Sequence, residues 1–508
     1  MNPRRLPSLR VEPGKIAMAV KTNAVGLNVN FLADHAESRK RGQGYVAALR
    51  RMGVRSLRFP GGEKSNEYLW SSPPWDRPRP RLGIVGPKGR LHTEGGPVTA
   101  DGRFLVETMD FDEFMGICRA VGAHPIVCVN LGSAYVKDDP AARRGTPRDE
   151  VLANAVEWVR YANKVKGYGV RDWELGNESY WRGSAAPLKA EEYVRDVIEF
   201  SRAMKRQDPG IRIGVNGHVG KDLVSSADGE GGPIWWQHLL SRASAEIDFA
   251  VMHPYPCFEW GSYDYFVRHS PLFTEGVEQV AEALREWAPA DDAARIRIQA
   301  TEANAFDWAA SKWYRGTNKG WEWANDLGHA LVLFDILGQH LAHPLVDGIQ
   351  VWTTRWFDTP SRLEDTIDDD NELLPTGEAM GLWGRHLKEN LAPLEGLECG
   401  PAYAAHSPRT NELALFLMNK GREACAVEVE LAGRPGEWQA TVESLCGESE
   451  NDLHPKVAGT GARASRGGKI ACDLPPVSIT VLELRPGSSV TFGSRLEASS
   501  QAGRTGIE

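Results

Sequence analysis

The sequence predicts an α/β chain: a (β/α)8 TIM barrel carrying a C-terminal antiparallel β-sandwich. Three observations predict it. Eight short apolar segments alternate with eight amphipathic ones, the apolar period falls to two after about residue 395, and two unusually long connections follow predicted strands.

The strands, each short and β-branched or aromatic-rich, are Ala24–Asn30, Ser56–Pro60, Pro125–Asn130, Asp172–Gly176, Ile211–Asn216, Asp248–His253, Arg297–Thr301 and Gly348–Trp352. Between them, apolar residues recur every three or four positions over Gly42–Met52, Asp110–Gly122, Asp149–Lys166, Ala190–Asp208, Pro233–Ser244, Pro271–Ala288, Asn325–Leu341 and Thr376–Leu391, which predicts helices. A doubly wound sheet would alternate too, but no Gly-x-Gly-x-x-Gly follows the first strand. After the barrel, assigned to 21–392, Cys425-Ala-Val-Glu-Val-Glu-Leu431 and Val477–Leu484 alternate with period two, which predicts a small sandwich over 393–486. The strand-like segment 8–20 is available to complete it, and 487–508, rich in Ser, Gly and Ala, reads as a flexible tail. Loops 61–109 and 353–375 are longer than most connections and would rise at the C-terminal rim of a barrel as cleft walls.

Composition excludes several classes. With 59 Lys plus Arg against 68 Asp plus Glu, the formal charge of −9 argues against a general nucleic-acid binder. No run approaches the ~18 apolar residues of a membrane span. The N-terminus carries Arg4 and Arg5 without an apolar stretch behind them, so no targeting segment is visible; a cytoplasmic location is expected, or a secreted one if a leader has been trimmed. None of the 7 Cys falls in a C-x-x-C spacing, and the four after residue 390 could pair only in an oxidising compartment. The 17 Trp outnumber the 15 Phe and 12 Tyr, a surplus that suits flat platforms for ligands such as sugars.

Strand-end residues of a barrel converge on one cavity. Here they are Arg58, Asn130, Asn177, Glu178, Asn216, His253, Tyr255, Glu302, Gln350 and Trp352. Two carboxylates, Glu178 after strand four and Glu302 after strand seven, would face each other across the mouth. Cleavage of a glycosidic bond needs such a pair, one to protonate the leaving oxygen and one to attack or to activate water.

The sequence resembles the retaining glycoside hydrolases of clan A, and within them families 51, 39 and 79. Arg58-Phe-Pro-Gly-Gly62 is similar to the Arg-Tyr-Pro-Gly-Gly of family 51, Trp173-Glu-Leu-Gly-Asn-Glu178 to the same motif of family 79, and His253-Pro-Tyr255 to the His-x-Tyr ending strand six in family 51. The resemblance implies Glu178 as general acid/base and Glu302 as nucleophile, held ionised by Arg58. It further implies Asn177 on the sugar 2-OH, Tyr255 orienting Glu302, His253 beside the acid/base and Trp352 under the sugar ring. Where family 51 continues with Asn, this chain has Glu63 and Lys64. That departure and the cations Arg77, Arg79, Arg81, Lys88 and Arg90 of the second loop would suit a uronic or sulfated sugar if they point inward.

Several residues carry a plainer reading as well. Glu174 reads as a structural partner in the barrel interior. A rim tryptophan such as Trp181 or Trp352 can be core, and Cys257 has no base placed to activate it. The acidic run from Asp365 to Glu372 lacks the spacing of a calcium loop. The expectation is therefore a retaining glycosidase on a carbohydrate substrate, with catalytic residues Glu178 and Glu302 and substrate-binding residues Arg58, Glu63, Asn130, Asn177, Trp181, His253, Tyr255, Gln350 and Trp352. No metal or organic cofactor, nucleic acid or membrane is expected, and homo-oligomerisation is left open. An α-L-arabinofuranoside is the leading substrate; a β-glycosidase or endo-glycanase, with uronic or sulfated glycans among its candidate substrates, is the alternative, and a catalytically inactive carbohydrate-binding barrel is the reading from another class.

Overall fold

Each predicted barrel strand is a strand, because a short apolar run bounded by turn residues can bury both faces only in a parallel sheet covered by helices. In the computed structural model these are Val25–Asn28, Ser56–Phe59, His124–Val129, Asp172–Leu175, Arg212–Asn216, Phe249–Met252, Arg297–Ala303 and Val346–Val351. They pair in chain order, all parallel, and the eighth closes on the first through Ile349 opposite Val25. The structure describes residues 7–487 except 87–96, 100–101, 137–143, 182–187, 221–231, 256–262, 306–323, 357–361, 434–436 and 466. Lys88, Arg90, Cys257, Trp308, Trp313, Trp321, Trp323 and the tail from 488 lie outside the described residues.

The helices show their sequence causes. Phe111–Val121 starts at a capping box, Asp110 with Glu113, and stops at Gly122, whose φ of 76° suits the left-handed end of a helix. Leu327–Leu341 and Pro375–His386 are almost wholly buried, since they lie between the barrel and a sheet. Two helix expectations need correction. The segment expected to be helical from Pro271 starts only at Glu275, and that expected to run to Leu391 ends at His386. Beyond His386, Asn390–Leu394 pairs with both Ala402–His406 and Met18–Ala19, and sheet pairing overrides the helical spacing of its apolar residues.

The sandwich has a seven-stranded antiparallel sheet, into which Met18–Ala19 is built, and a smaller sheet of Ser8–Val11, Cys425–Leu431 and Lys469–Leu474. Leu413–Asn419 is buried throughout because the larger sheet is covered twice. Its Leu413, Leu415 and Leu417 meet the smaller sheet, while Ala414, Phe416 and Met418 meet the barrel helices. At that seam Phe416 stacks on Trp383 at 4.0 Å between ring centres, and Trp383 on Phe334 at 4.9 Å. No disulfide joins the six described cysteines. Among the described tryptophans, five are core: Trp70, Trp158, Trp173, Trp235 and Trp383 are fully buried, and four of these donate their indole N–H to backbone carbonyls.

The seam also buries a carboxyl, Asp335, which accepts the Tyr403 hydroxyl at 2.9 Å. Burial pushes it up to about 6 from 3.8. A raised carboxyl contributes stability that is complete below its ordinary value and is lost as pH rises through the folded value, with each pH unit between the two values worth about 1.4 kcal/mol. Asp335→Asn, which can still accept from Tyr403, is therefore expected to raise the melting temperature at pH 8 and to gain little at pH 4. A melting series over that range is the check, and a lower melting temperature at pH 8 contradicts it.

Candidate active site

The mouth of the barrel is organised around Arg58, the last residue but one of strand two and fully buried. Its Nε and Nη2 grip Glu174 at 2.6 and 2.9 Å, its Nη1 reaches Glu302 at 2.9 Å and Asn28 at 3.0 Å, and its Nη2 also donates to Asn177 at 2.8 Å. Burial opposes the charge, but Glu174 foremost among its neighbours, and then Glu302, outweigh that and raise the guanidinium above its ordinary value. Asn28 pairs in register with Arg58 across strands one and two, and its amide caps the carbonyls of Thr301 and Val351. One cation thus ties the ends of four strands together.

Glu178 is aimed by a sharp exit from strand four. Gly176 takes φ 71° and Glu178 itself φ 43°, a left-handed conformation that costs a non-glycine residue about 1–2 kcal/mol. Polar neighbours hold the turn. Asn66 brackets Asn177, donating to its carbonyl at 2.8 Å and accepting from its N–H at 3.3 Å, while Asn216 accepts the N–H of Ser179 at 2.8 Å and donates to the carbonyls of Leu175 and Gly176.

Glu302 is aimed by a β-bulge. Strand seven slips against strand eight between Ala300 and Ala303, so the neighbours Thr301 and Glu302 both serve the cavity rather than opposite faces. Thr301 donates its hydroxyl to Glu174 at 3.2 Å and lies 3.1 Å from His253 Nε2, whereas Glu302 accepts from Arg58 and, at 3.0 Å, from the Tyr255 hydroxyl. Since the Thr301 proton goes to Glu174, Nε2 of His253 carries the hydrogen that Thr301 accepts. Nδ1 then faces Glu178 at 2.8 Å, so this pair shares one proton. Burial lowers His253, but Glu302 and Glu178 outweigh it and raise the imidazole above its ordinary value.

One atom each of Glu178, His253 and Glu302 lies within 4.8 Å of the others, so the two carboxylates do converge. Such a donor set can also attract a cation, but Arg58 and the His253 proton already supply its counter-charge. Trp352 forms a wall beside them. Its ring lies against Gly62, where an added Cβ would come within 2.1 Å of it, which explains that glycine; its indole N–H goes to Glu364 at 2.8 Å.

The remaining expected residues divide. Asn177 keeps a buried Nδ2 with no protein partner among the described residues, a donor available to a ligand. Glu63, in the short helix Gly62–Asn66, acts with Glu178 and Glu302 on the buried Tyr180 hydroxyl. Trp181 is partly buried, and its backbone N–H closes the turn on the Glu178 carbonyl at 2.8 Å. Asn130 spends its amide on the Tyr68 carbonyl and the Ser133 N–H, and Gln350 lies deeper, on Ser56, two residues below Arg58. Of the loop cations, Arg79 is taken by Asp76 and Arg81 by Glu150. Sequence reasoning missed Asn28, Asn66, Thr301, Trp356 and Glu364. Thr301 stands one step from Glu302, and the others carried no comparable signal.

Comparison with known proteins gives the class first. The family model of the alpha-L-arabinofuranosidase 1 domain matches residues 48–246. Among curated proteins, the chain is 24% identical over 312 residues, 57% of its length, to a probable alpha-L-arabinofuranosidase C of Aspergillus fumigatus. It is 26% identical over 258 residues, 47% of its length, to an intracellular exo-alpha-(1->5)-L-arabinofuranosidase of Streptomyces lividans. The matches span 55% and 33% of those two proteins, so the chain covers about half the length of the first and less of the second. The alpha-L-arabinofuranosidase of Thermotoga maritima, solved with arabinose, superposes with a TM-score of 0.68 at 21% identity, covering 94% of this chain and 100% of that one. A family 44 xyloglucanase of Paenibacillus polymyxa gives 0.62 at 14% identity, covering 95% and 100%, so the architecture is wider than one family. The resemblance to clan A glycoside hydrolases, and to family 51 among them, is borne out, as is the barrel with its sandwich. No helix among the described residues is long and apolar enough to cross a membrane.

The His253 arrangement carries a pH signature. A raised histidine contributes stability that is complete below its ordinary value and is lost as pH climbs through the folded value. His253→Gln is expected to flatten the alkaline decline in melting temperature between pH 6 and 9; parallel curves for variant and wild type refute the coupling.

Proposed function

We propose that the chain is a retaining glycoside hydrolase acting on α-L-arabinofuranosides, with Glu302 as nucleophile and Glu178 as general acid/base. The separation of the two carboxylates carries the reading: an oxygen of each lies within 4.8 Å of the other, which suits double displacement at ~5–5.5 Å better than inversion at ~6.5–9.5 Å. The motifs at Arg58, Glu178 and His253 and the arabinofuranosidase relatives support the same substrate class.

In the first step Glu302 attacks the anomeric carbon while Glu178 delivers its proton to the leaving oxygen, forming a glycosyl ester on Glu302. Water then enters, Glu178 takes its proton, and the ester bond breaks to free the sugar and regenerate the carboxylate. Arg58 and Tyr255 keep Glu302 anionic and oriented before attack. His253 hydrogen-bonds Glu178 and orients it for both proton transfers. Asn177 Nδ2 donates to the sugar hydroxyl next to the reacting carbon, a contact that strengthens as positive charge develops. Trp352 supplies the apolar wall.

An acidic glycan is the weaker alternative. Arg79 and Arg81 are already paired with Asp76 and Glu150, and Glu63 would repel a carboxylate or sulfate on the substrate. Turnover of an aryl α-L-arabinofuranoside with none of the matching uronide is the expected outcome; the reverse preference reassigns the substrate, and silence on a broad glycoside panel refutes the enzyme.

Removal of each carboxylate should leave a different signature. Glu302→Ala is expected to reduce turnover to background, with azide restoring it and yielding a glycosyl azide of inverted configuration. Glu178→Ala is expected to lose about 10²–10⁴-fold, least with good leaving groups, and azide should give the retained product. Product configuration by NMR checks both; azide products of the opposite configurations exchange the two roles. Tyr255→Phe is expected to lower kcat roughly tenfold or more, as loss of a hydrogen bond to a charged group costs about 1.5–3 kcal/mol. An unchanged kcat removes Tyr255 from the mechanism.

A further inference from the structure

Lys64 lies in the short helix Gly62–Asn66 and is fully buried. A buried ammonium is expensive unless its surroundings compensate for lost water. Here the surroundings are the walls of the site. Its Nζ sits 3.6 Å over the centre of the Trp356 ring and 5.0 Å from that of Trp352, and these two rings are themselves 5.3 Å apart. Trp352 is therefore held on several sides: by the Gly62 backbone, by Glu364 on its indole N–H, and by the Trp356 ring with Lys64 against it.

The carboxylates that act on the ammonium come from four separate elements. They are Glu302 on strand seven, Glu364 in the loop after strand eight, Glu67 just beyond its own helix and Asp34 in the loop after strand one. Asp34 is committed to Arg355 at 2.9 Å, and of the other three Glu302 and Glu364 act on the ammonium most strongly.

We propose that Lys64 is a positioning residue of the reaction, its buried ammonium clamping the Trp352–Trp356 wall and the Glu302 carboxylate into one arrangement. The inference rests on Glu302 being the nucleophile. It gives the chain a second interior cation acting on that group beside Arg58, and it accounts for the lysine that follows the Pro-Gly-Gly loop. The clamp weakens when the ammonium loses its proton. Burial lowers Lys64 to about 7, against the raising effects of Glu302 and Glu364, so the clamp holds below neutral pH and fails above it.

The test compares Lys64→Met and Lys64→Arg with the wild type on an aryl α-L-arabinofuranoside, with kcat and KM measured from pH 5 to 9 and the folded fraction from melting curves. Lys64→Met is expected to lose on the order of tenfold to a hundredfold in kcat with a smaller change in KM, as expected for a displaced reacting group. Lys64→Arg, charged throughout, should retain most of the activity and carry its plateau to higher pH than the wild type. Glu364→Gln provides a second variant should Lys64→Met fold poorly, and it should act mainly on KM through Trp352. A Lys64→Met enzyme within twofold of wild type across the range, or Met and Arg variants with equal losses and unshifted profiles, overturns the proposal. An inactive wild type would instead overturn the glycosidase reading, so the two failures are distinguishable.

Discussion

A single buried guanidinium carries both the architecture and the chemistry of the barrel mouth. Arg58 neutralises Glu174 and reaches Glu302, so it stands between a fully buried carboxylate and the one proposed as nucleophile. Breaking such a buried network by removing one partner typically costs about 3–5 kcal/mol, because a charge is left uncompensated. The arrangement also orders the energetics of the proposed reaction. Glu174 anchors the guanidinium, and in that reaction Glu302 changes its charge against a fixed counter-ion. No water need reorganise at that moment, which is where preorganised electrostatics is most effective.

Around this fixed point the mouth departs from an ideal barrel wherever a side chain must be aimed. Glu178 adopts a left-handed backbone, strand seven carries a bulge at Thr301 and Glu302, and Gly62 lets an indole lie on the main chain. Each is locally unfavourable and is over-determined by neighbours: Asn66 and Asn216 at the first, Asn28 and Arg58 at the second, Lys64 and Glu364 at the third. The unfavourable conformations gather at the mouth, as expected where a scaffold is bent to serve a site.

These departures also mark where the sequence stops being readable. The eight strands were legible because each is a short apolar run flanked by turn residues, and the two glutamates because strand ends converge. The bulge was not legible: alternation would put Thr301 and Glu302 on opposite faces, and only the slip against strand eight brings both inward. Asn28, Asn66 and Asn216 look like ordinary loop or strand-end amides until their partners, remote in sequence, are in place. The tryptophan surplus misled in part, since indoles that find backbone carbonyls make good core. Helical spacing before Leu391 gave way to sheet pairing because period alone cannot tell an apolar helix end from an edge strand. Charge in the second loop looked like a substrate signal, yet Arg79 and Arg81 had nearer acids to meet.

The route of the chain through the sandwich has a consequence for its biosynthesis. Ser8–Val11 lies parallel to Cys425–Leu431, and Met18–Ala19 pairs with Asn390–Leu394, so both strands have partners that are translated only after the whole barrel. At about 5–20 residues per second, the two strands wait roughly 20–80 s with unpaired edges while the barrel is made. The nascent chain must therefore keep an open strand shielded until those partners leave the ribosome, and the sandwich can close only late.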